Sequence, residues 1–567
     1  MANMTKSFFR WAAVSAALIG AVACNDTELA VQNPNSGESD RVLGTPNDAE
    51  ALLGTYYKRW SSGVYGSTAD LQGMAGIQSL MNYSSLANNC LNGRTPFTGA
   101  ANSNAPGNVC AGEQSRLYFF NHEVDRVANT FLTKLRDGLE LGSQARTNRD
   151  KAFAEFLRGL AIGYTSLMHD SVSVVIVGQD ANDPGTLIGY KAGADSAFAA
   201  FQRAIDLTNA VVPGDQGFPL PSTWIPSPMS WDKANFVRLI RSYRARIRAS
   251  LARTPAERAA VDWAAVVADA QNGFTADHLI TTNTTTGPIN SWRTQYTSFT
   301  TWHQMPPFFI GMADVSGSYA AWIAQPVGER GAGNVSYTLV TPDLRFPQGA
   351  TRAAQQADFA LTQCNTTGAV CKRYFVNRPA GSDVLSGAGF GWSNYDNVRN
   401  YNWNLRGEAG VARNGPTPFM VKAELDMLQA EGLYRQGNYA GAAALVNITR
   451  VANGLPAITA FDATSPVPGG SQCVPKVPVA PFNVVACGNL WDALKYEKRI
   501  EGAYMSYAPW YLDGRGWGEL PKDTPLFWPV PYQDLQARGV AISAIYGSGP
   551  GTGNAANSVA PVSVYGW

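Results

Sequence analysis

Along much of the chain apolar residues return every three or four positions, and the returns come in pairs. Phe153, Phe156, Leu157, Leu160, Tyr164 and Leu167 fall on one face of a helix, as a 3.6-residue period requires. Phe198, Phe201, Ile205 and Leu207 mark a partner helix across a long loop. "NFVRLIRSYRARIRASLA" predicts a third, and "TPAERAAVDWAAVVADAQNGF" follows it with Thr254-Pro255 as a start signal. Near the N-terminus "TPNDAEALLGTYYKRW" predicts a helix opened by Pro46 and Asn47 or Asp48, with Ala49, Leu52, Leu53 and Tyr56 on its apolar face. The clearest pair is "VKAELDMLQAEGLYRQGNYAGAAALVNITRVANGLP". Its first helix carries Leu425, Leu428, Leu433 and Tyr434, and Gly437-Asn438 turns the chain. Its second carries Ala443, Ala444, Ile448 and Val451, and Gly454 stops it. Small residues let the two helices approach closely, which is a tetratricopeptide-type pattern. An ordinary helical hairpin in another all-α fold is the alternative.

Segments 61–115, 281–420 and 457–488 break this periodicity and together exceed a third of the chain. Loops of that size are functional or hold a small subdomain. The fold class expected is therefore mainly α, a tetratricopeptide-type helical repeat scaffold with a large loop-rich face and minor β.

With 567 residues the chain is too long for one ordinary core. Lys and Arg number 44 against 43 Asp and Glu, a net charge of +1. That balance removes the electrostatic case for nucleic acid or an anionic membrane surface. The richness lies in 55 Gly, 33 Pro, 15 Trp and 23 Tyr, a mixture suited to ordered loops carrying rings.

The N-terminus reads as an export signal. Lys6 and Arg10 precede an apolar run from Trp11 to Val22, short of the roughly 20 residues a span needs. Ala21-Val22-Ala23-Cys24 resembles a bacterial lipobox, in which Cys24 is acylated; the usual Leu is replaced by Ala21. Removing Cys24 from the seven cysteines leaves three local pairs: Cys90–Cys110, Cys364–Cys371 and Cys473–Cys487. This is the expected pairing among the several that six cysteines allow, and it implies an oxidising compartment. The boundaries expected are a signal peptide over 1–23, a polar tether over 24–46, a helical domain over 47–538 containing a loop-rich subdomain at about 281–420, and an extended tail over 539–567.

Five stretches in order resemble the SusD/RagB family of outer-membrane nutrient-binding lipoproteins. They are the lipobox with "LAVQNPNSGES" and the first helix, "AFAEFLRGLAIGYTSLMHD", "TPDLRFP", the helical hairpin at 421–456, and "LKYEKRIEGAYMSYAPWYLDGRGWGELP" with "PLFWPVPYQDL". Leu344 replaces the proline of the family's Asp-Pro-Arg stretch, and Glu501-Gly502-Ala503-Tyr504 lacks an Arg often found there. The resemblance implies four tetratricopeptide-type units supporting a loop-rich face. It also implies a lipid anchor at Cys24, a SusC-type TonB-dependent transporter as partner, and capture of glycans, or in some branches peptides, without cleavage. Alternatives are a peptide- or glycoprotein-binding member of the same scaffold and a structural or self-assembling surface protein.

A sugar-binding face needs rings to stack on pyranoses and polar groups to bond hydroxyls. "SWRTQYTSFTTWHQMPPFF" supplies Trp292, Tyr296 and Trp302, and "GFGWSNYDNVRNYNWN" supplies Trp392, Asn394 and Tyr395. The earlier loop adds Tyr83 and Arg94. Catalytic signals are poor: the four histidines lack metal-ligand spacing, and His169-Asp170-Ser171 in "MHDSVS" reads as a helix end. No cofactor is expected. Asp180, Asn182 and Asp183 could hold Ca²⁺, but a plain turn is the better reading.

Overall fold

The computed structural model describes residues 44–66, 70–84, 103–180, 183–212, 214–283, 285–289, 303–330, 338–360, 371–379, 393–399, 414–542 and 559–567. The chain divides into two compact units, residues 1–52 and 53–567. The described part of the first is a helix start: the Thr45 hydroxyl donates to Asp48 Oδ2 at 2.6 Å and accepts from the Asp48 amide. Pro46 opens the helix as expected, but the capping side chain is Thr45 rather than Asn47 or Asp48.

Helices dominate. In chain order they begin with α1 (Pro46–Tyr65), α2 (Leu71–Gln78), α3 (Ala111–Arg136), α4 (Gln144–Met168), α5 (Tyr190–Asn209), α6 (Lys233–Ser250), α7 (Pro255–Ala259) and α8 (Trp263–Gln271). Three short ones, α9 (Pro307–Ile310), α10 (Ser318–Ile323) and α11 (Arg352–Asp358), lie in the loop-rich region. The chain then forms α12 (Lys422–Arg435), α13 (Tyr439–Ala452), α14 (Leu490–Gly502), α15 (Pro509–Trp517) and α16 (Tyr532–Ala537). The strands are β1 (Tyr83–Ser84), β2 (Ser171–Val174), β3 (Thr186–Gly189), β4 (His278–Thr282), β5 (His303–Gln304), β6 (Phe375–Asn377), β7 (Tyr395–Asn397), β8 (Gly415–Met420), β9 (Lys476–Val479) and β10 (Val484–Cys487). They pair antiparallel as two-stranded ribbons: β1–β5, β2–β3, β4–β8, β6–β7 and β9–β10.

Each long helix packs on the next, so α3, α4, α5, α6, α8, α12 and α13 form a continuous array, with α14 against α12 and α13. The stripe expected on α4 is buried throughout. Gly159 and Gly163 set the distance to its neighbours: an added Cβ would stand 2.5 Å from the Phe201 ring and 2.7 Å from Ile247. On α1 the buried positions are Leu53, Tyr57, Trp60 and Val64. The ring of Trp60 meets Tyr65, Tyr164 and Tyr243 edge-on at 5.9, 5.1 and 5.7 Å. Tyr56, expected on that face, is only partly buried.

The hairpin α12–α13 turns where expected, with Gly437 at φ 78 and the Asn438 side chain capping α13. Its second helix is rotated from the expected phase. Ala442, Ala443, Val446 and Arg450 face inward, while Ala444, Ile448 and Val451 are exposed. The buried Arg450 donates to Pro456 O at 2.7 Å and Val474 O at 2.6 Å, which fixes the rotation. Gly454 ends the helix at φ 79, as expected.

The Cys473–Cys487 disulfide is present and ties a 14-residue separation beside β9–β10. Cys110 and Cys371 are disulfide-bonded; Cys90 and Cys364 lie outside the described residues, as do Cys24 and the expected signal and tether up to residue 43. Of the expected tail over 539–567, residues 539–542 and 559–567 are described. Tyr565 and Trp567 are buried in the main cluster under the loop-rich region, where Trp567 packs on Phe308 and Phe309. Lys495 holds the Tyr565 hydroxyl at 2.8 Å. Apolar ring area that can be buried is worth about 25 cal/mol per Å², which a solvated tail would forgo.

Candidate functional site

Two-stranded ladders bring together the described flanks of the expected ligand loops. In β1–β5, Tyr83 stands opposite Gln304 and Ser84 opposite His303. Antiparallel pairing means the chain leaves Ser84 at the end of the ladder where it arrives at His303. Ser84 and His303, the described residues that flank two of those loops in sequence, are therefore neighbours. The third stretch docks there too. Gln304 Nε2 donates to Ser393 O, Ser393 Oγ donates to Met305 O, and the Met305 amide donates to Tyr395 O at 3.0 Å. Trp392 immediately precedes Ser393 in the chain. Of the expected contacts, Arg94, Trp292, Tyr296, Trp302 and Trp392 lie outside the described residues, and Tyr83 is described by its backbone alone.

Asn394 and Tyr395, expected on the ligand face, are interior instead, 1% and 0% exposed. The Tyr395 hydroxyl donates to Gln355 Oε1 at 2.6 Å and accepts the Leu339 amide at 2.9 Å. Burial raises its pKa. Beside it, burial pushes the Asp396 carboxyl up to about 8 against the opposing pull of Arg378, 3.8 Å away. The polar residues of "SNYDNVR" thus lie in and beside the buried ribbon β6–β7.

The two most distinctive polar motifs meet in the interior. Arg345 of "TPDLRFP" is fully buried and forks onto Asp343, onto Glu497 at 2.7 and 3.1 Å, and onto Glu501 at 3.1 Å. Arg399 Nη2 reaches Glu501 at 2.8 Å, and the Tyr496 hydroxyl donates to Asp343 at 2.7 Å. Charge-assisted bidentate pairs of this kind fix relative position strongly. The motif therefore joins the loop-rich region to α14. Leu344 donates its amide to Asn453 O at 3.0 Å, a bond proline could not make.

A cleft of about 480 Å³ opens on α5 and the turn after α6. Tyr190 and Phe198 of α5 supply rings, and Lys191, Asp195, Arg248, Glu257 and Asp262 supply charge. Lys191 is committed to Glu257 at 2.8 Å, and the Tyr190 hydroxyl donates to the same carboxylate at 2.6 Å. These ligands hold the Glu257 carboxyl below its usual range in spite of burial. Sequence periodicity places Phe198 with Phe201 on the apolar face; in the fold it is half-buried at the cleft wall. Arg248 could be singled out only by noticing that α6 carries more arginines than nearby acids can pair. A second cavity of about 440 Å³ lies beyond the same turn, lined by Arg253, Arg515, Lys522 and the segment Val559–Pro561.

His169 caps the end of α4, as expected of "MHDSVS". Its Nδ1 sits 2.9 Å from Pro529 O, and burial depresses its pKa to about 3. At the 180–185 turn Arg126 donates to Asp180 O at 3.1 Å and to Asp183 O, and Asp183 Oδ1 accepts the Gly185 amide. Asn182, the third candidate there, lies outside the described residues. No group of three or more metal-ligating side chains occurs among the described residues. Among them, too, no helix is long and apolar enough to cross a membrane.

No family model and no curated protein matches the sequence. Solved structures are similar over most of their length. One is a SusD superfamily protein from Bacteroides thetaiotaomicron, at 15% identity and TM-score 0.48, covering 87% of this chain and 96% of that one. Another is a putative sugar binding protein from Bacteroides vulgatus, at 11% identity and TM-score 0.49 with the same two coverages. A third is a SusD-like carbohydrate binding protein from Bacteroides fragilis, at 14% identity and TM-score 0.45, covering 84% and 87%.

Proposed function

We propose that this chain is a non-catalytic glycan-binding lipoprotein of the SusD/RagB type. It is anchored at the outer membrane through Cys24 and passes oligosaccharide to a SusC-type TonB-dependent transporter. The observation that carries the reading is the convergence at β1–β5 and Ser393: the described flanks of three stretches far apart in sequence, two of them rich in Trp and Tyr and one carrying Tyr83, Asn89 and Arg94, meet at one point. Tyr83, Arg94, Trp292, Tyr296, Trp302 and Trp392 are the residues assigned to the ligand. Stacked rings favour sugar faces while nearby amides and guanidiniums bond hydroxyls.

Glycan-array binding and calorimetry on the wild type and on Trp292→Ala, Trp302→Ala and Trp392→Ala test the site. Oligosaccharide binding weakened tenfold or more by these changes supports it. Unchanged affinity removes those loops from the site, and release of reducing ends removes the non-catalytic reading. Saturable peptide binding without sugar binding transfers the scaffold to the alternative cargo. Cys24→Ser is expected to yield a soluble, unacylated protein, and co-purification of a β-barrel from native membranes identifies the transporter.

A further inference from the structure

Around Asp269 the charges do not balance locally. Arg244 grips that carboxylate at 2.7 and 2.6 Å, and Arg241 adds a contact at 3.3 Å. Arg248, one turn further along α6, stands 4.0 Å from the same carboxylate, too far for a hydrogen bond. Among the described residues Arg248 donates no hydrogen bond. Its guanidinium lies over the Phe198 ring, 4.7 Å from the centroid, and lines the 480 Å³ cleft with its side chain 20% exposed. A stacked guanidinium is held in one plane with its edge free, which reduces the ordering needed when a ligand binds.

The rest of the cleft supplies complementary groups. Asp195, on the α5 wall, makes no hydrogen bond or ion pair among the described residues and is exposed. Asp262 Oδ1 accepts the Ala265 amide at 3.0 Å as the cap of α8, which leaves Oδ2 for the cleft. Lys191 and Glu257 neutralise each other. The lining itself holds two cations, Lys191 and Arg248, against three carboxylates, Asp195, Glu257 and Asp262. The group of Arg241, Arg244 and Asp269 beside Arg248 carries the offsetting positive charge, so the region is neutral once that group is included, while the cleft wall carries donors and acceptors. With its charges offset by neighbours, the region gives no strong net attraction to an anion or a cation, and what it offers is a mixed set of donors and acceptors. A neutral polyol satisfies both, with donors from Arg248, acceptors from Asp195 and Asp262, and ring surface from Phe198. The volume lies within the roughly 300–1,000 Å³ usual for small-ligand sites.

We propose that this cleft is a second saccharide site, on the helical scaffold and separate from the loops at β1–β5, which takes a neutral sugar unit with Arg248, Asp195 and Asp262 bonding its hydroxyls. The proposal extends the glycan-binding reading, and its test is built so that the two fail separately. Purified wild type is titrated by calorimetry and saturation-transfer NMR with the neutral disaccharides maltose, cellobiose, mannobiose and xylobiose, and with triglycine as a zwitterionic control. The same titrations are run on Arg248→Met, which keeps the alkyl stem on Phe198, on Asp195→Asn at the exposed wall, and on the loop variant Trp292→Ala/Trp302→Ala/Trp392→Ala. The expected result is saturable binding of at least one disaccharide, weakened tenfold or more by Arg248→Met and about threefold or more by Asp195→Asn, and retained in the loop variant. Three outcomes would overturn the second site: no disaccharide binding in the loop variant, affinity unchanged by both cleft variants, or triglycine binding in place of sugar. Loss of wild-type binding on the loop changes alone leaves the glycan reading intact and removes this cleft from it.

Discussion

Removing the guanidinium of Arg345 is expected to be among the most costly single changes in the molecule. The side chain is wholly buried, and all five of its donor hydrogens are directed at carboxylates: Asp343 at 2.7 to 3.2 Å, Glu497 at 2.7 and 3.1 Å, and Glu501 at 3.1 Å. Arg345→Met keeps most of the volume and deletes the charge. Three buried carboxylates are then left with Arg399, which is bound to Glu501, and Arg450, whose hydrogen bonds go to main-chain carbonyls. Breaking one buried pair costs about 3–5 kcal/mol because the abandoned partner stays desolvated. With more than one carboxylate abandoned, the upper end of that range is the expectation, about 5 kcal/mol. Arg345→Lys keeps a charge but loses the planar fork, and about half that loss is expected. Urea titration followed by circular dichroism and tryptophan fluorescence measures both. Adding Glu497→Gln to Arg345→Met should recover part of the loss, because it removes one uncompensated charge. A loss below about 1 kcal/mol for Arg345→Met, or no recovery in the double variant, would refute the view that this network is a charge-balanced joint.

Three further outcomes follow from the geometry. Burial pushes the Asp170 carboxyl up to about 7 from an unfolded value of 3.8, against the opposing pull of Arg253, so its proton is held more tightly in the folded state. The associated stability is present below about pH 4 and is lost as pH rises to 7, and wild type should fall by about 2–3 kcal/mol more than Asp170→Asn between pH 5 and 8. Reading the difference between the two urea midpoints cancels Asp396, which titrates in both, while His169 at about 3 stays neutral throughout; parallel pH profiles would refute this. Gly159→Val forces a branched side chain into the 2.5 Å gap before Phe201, and about 1–3 kcal/mol of overpacking loss is expected by thermal unfolding. Cys473→Ser/Cys487→Ser releases the 14-residue staple, with about 2–4 kcal/mol lost in urea and earlier proteolytic cleavage within 457–488.

The helical array was legible because burial on one side imposes a period that survives any detail of packing. The stripe of α4 and the starts at Pro46 and Thr254-Pro255 are such features. The phase of α13 was not legible, because Arg450 looks like a surface residue until the carbonyls of Pro456 and Val474 are known to surround it. The same reason hid the interior placement of Asn394 and Tyr395: polar residues among aromatics look alike in sequence whether they face a ligand or hold a buried ribbon. Long-range pairing decides between the two, and it was the β1–β5 register that revealed the common root of the loops. Arg248 escaped notice because a surplus of arginine on α6 becomes visible only when Arg241 and Arg244 are seen to share Asp269.

The cross-helix ion pairs also constrain how the chain is assembled in time. Arg246 and Arg258 precede their carboxylate partners Glu424 and Glu431 by 178 and 173 residues. While the chain is being made, the array from α3 to α8 must keep those guanidiniums in water, so it cannot close as a finished half before α12 arrives. Large proteins commonly consolidate in order of synthesis, and here the distant partners forbid it. A nascent chain halted before residue 424 is therefore expected to remain open and susceptible to proteases, and completion to set in abruptly once α12 to α15 are available.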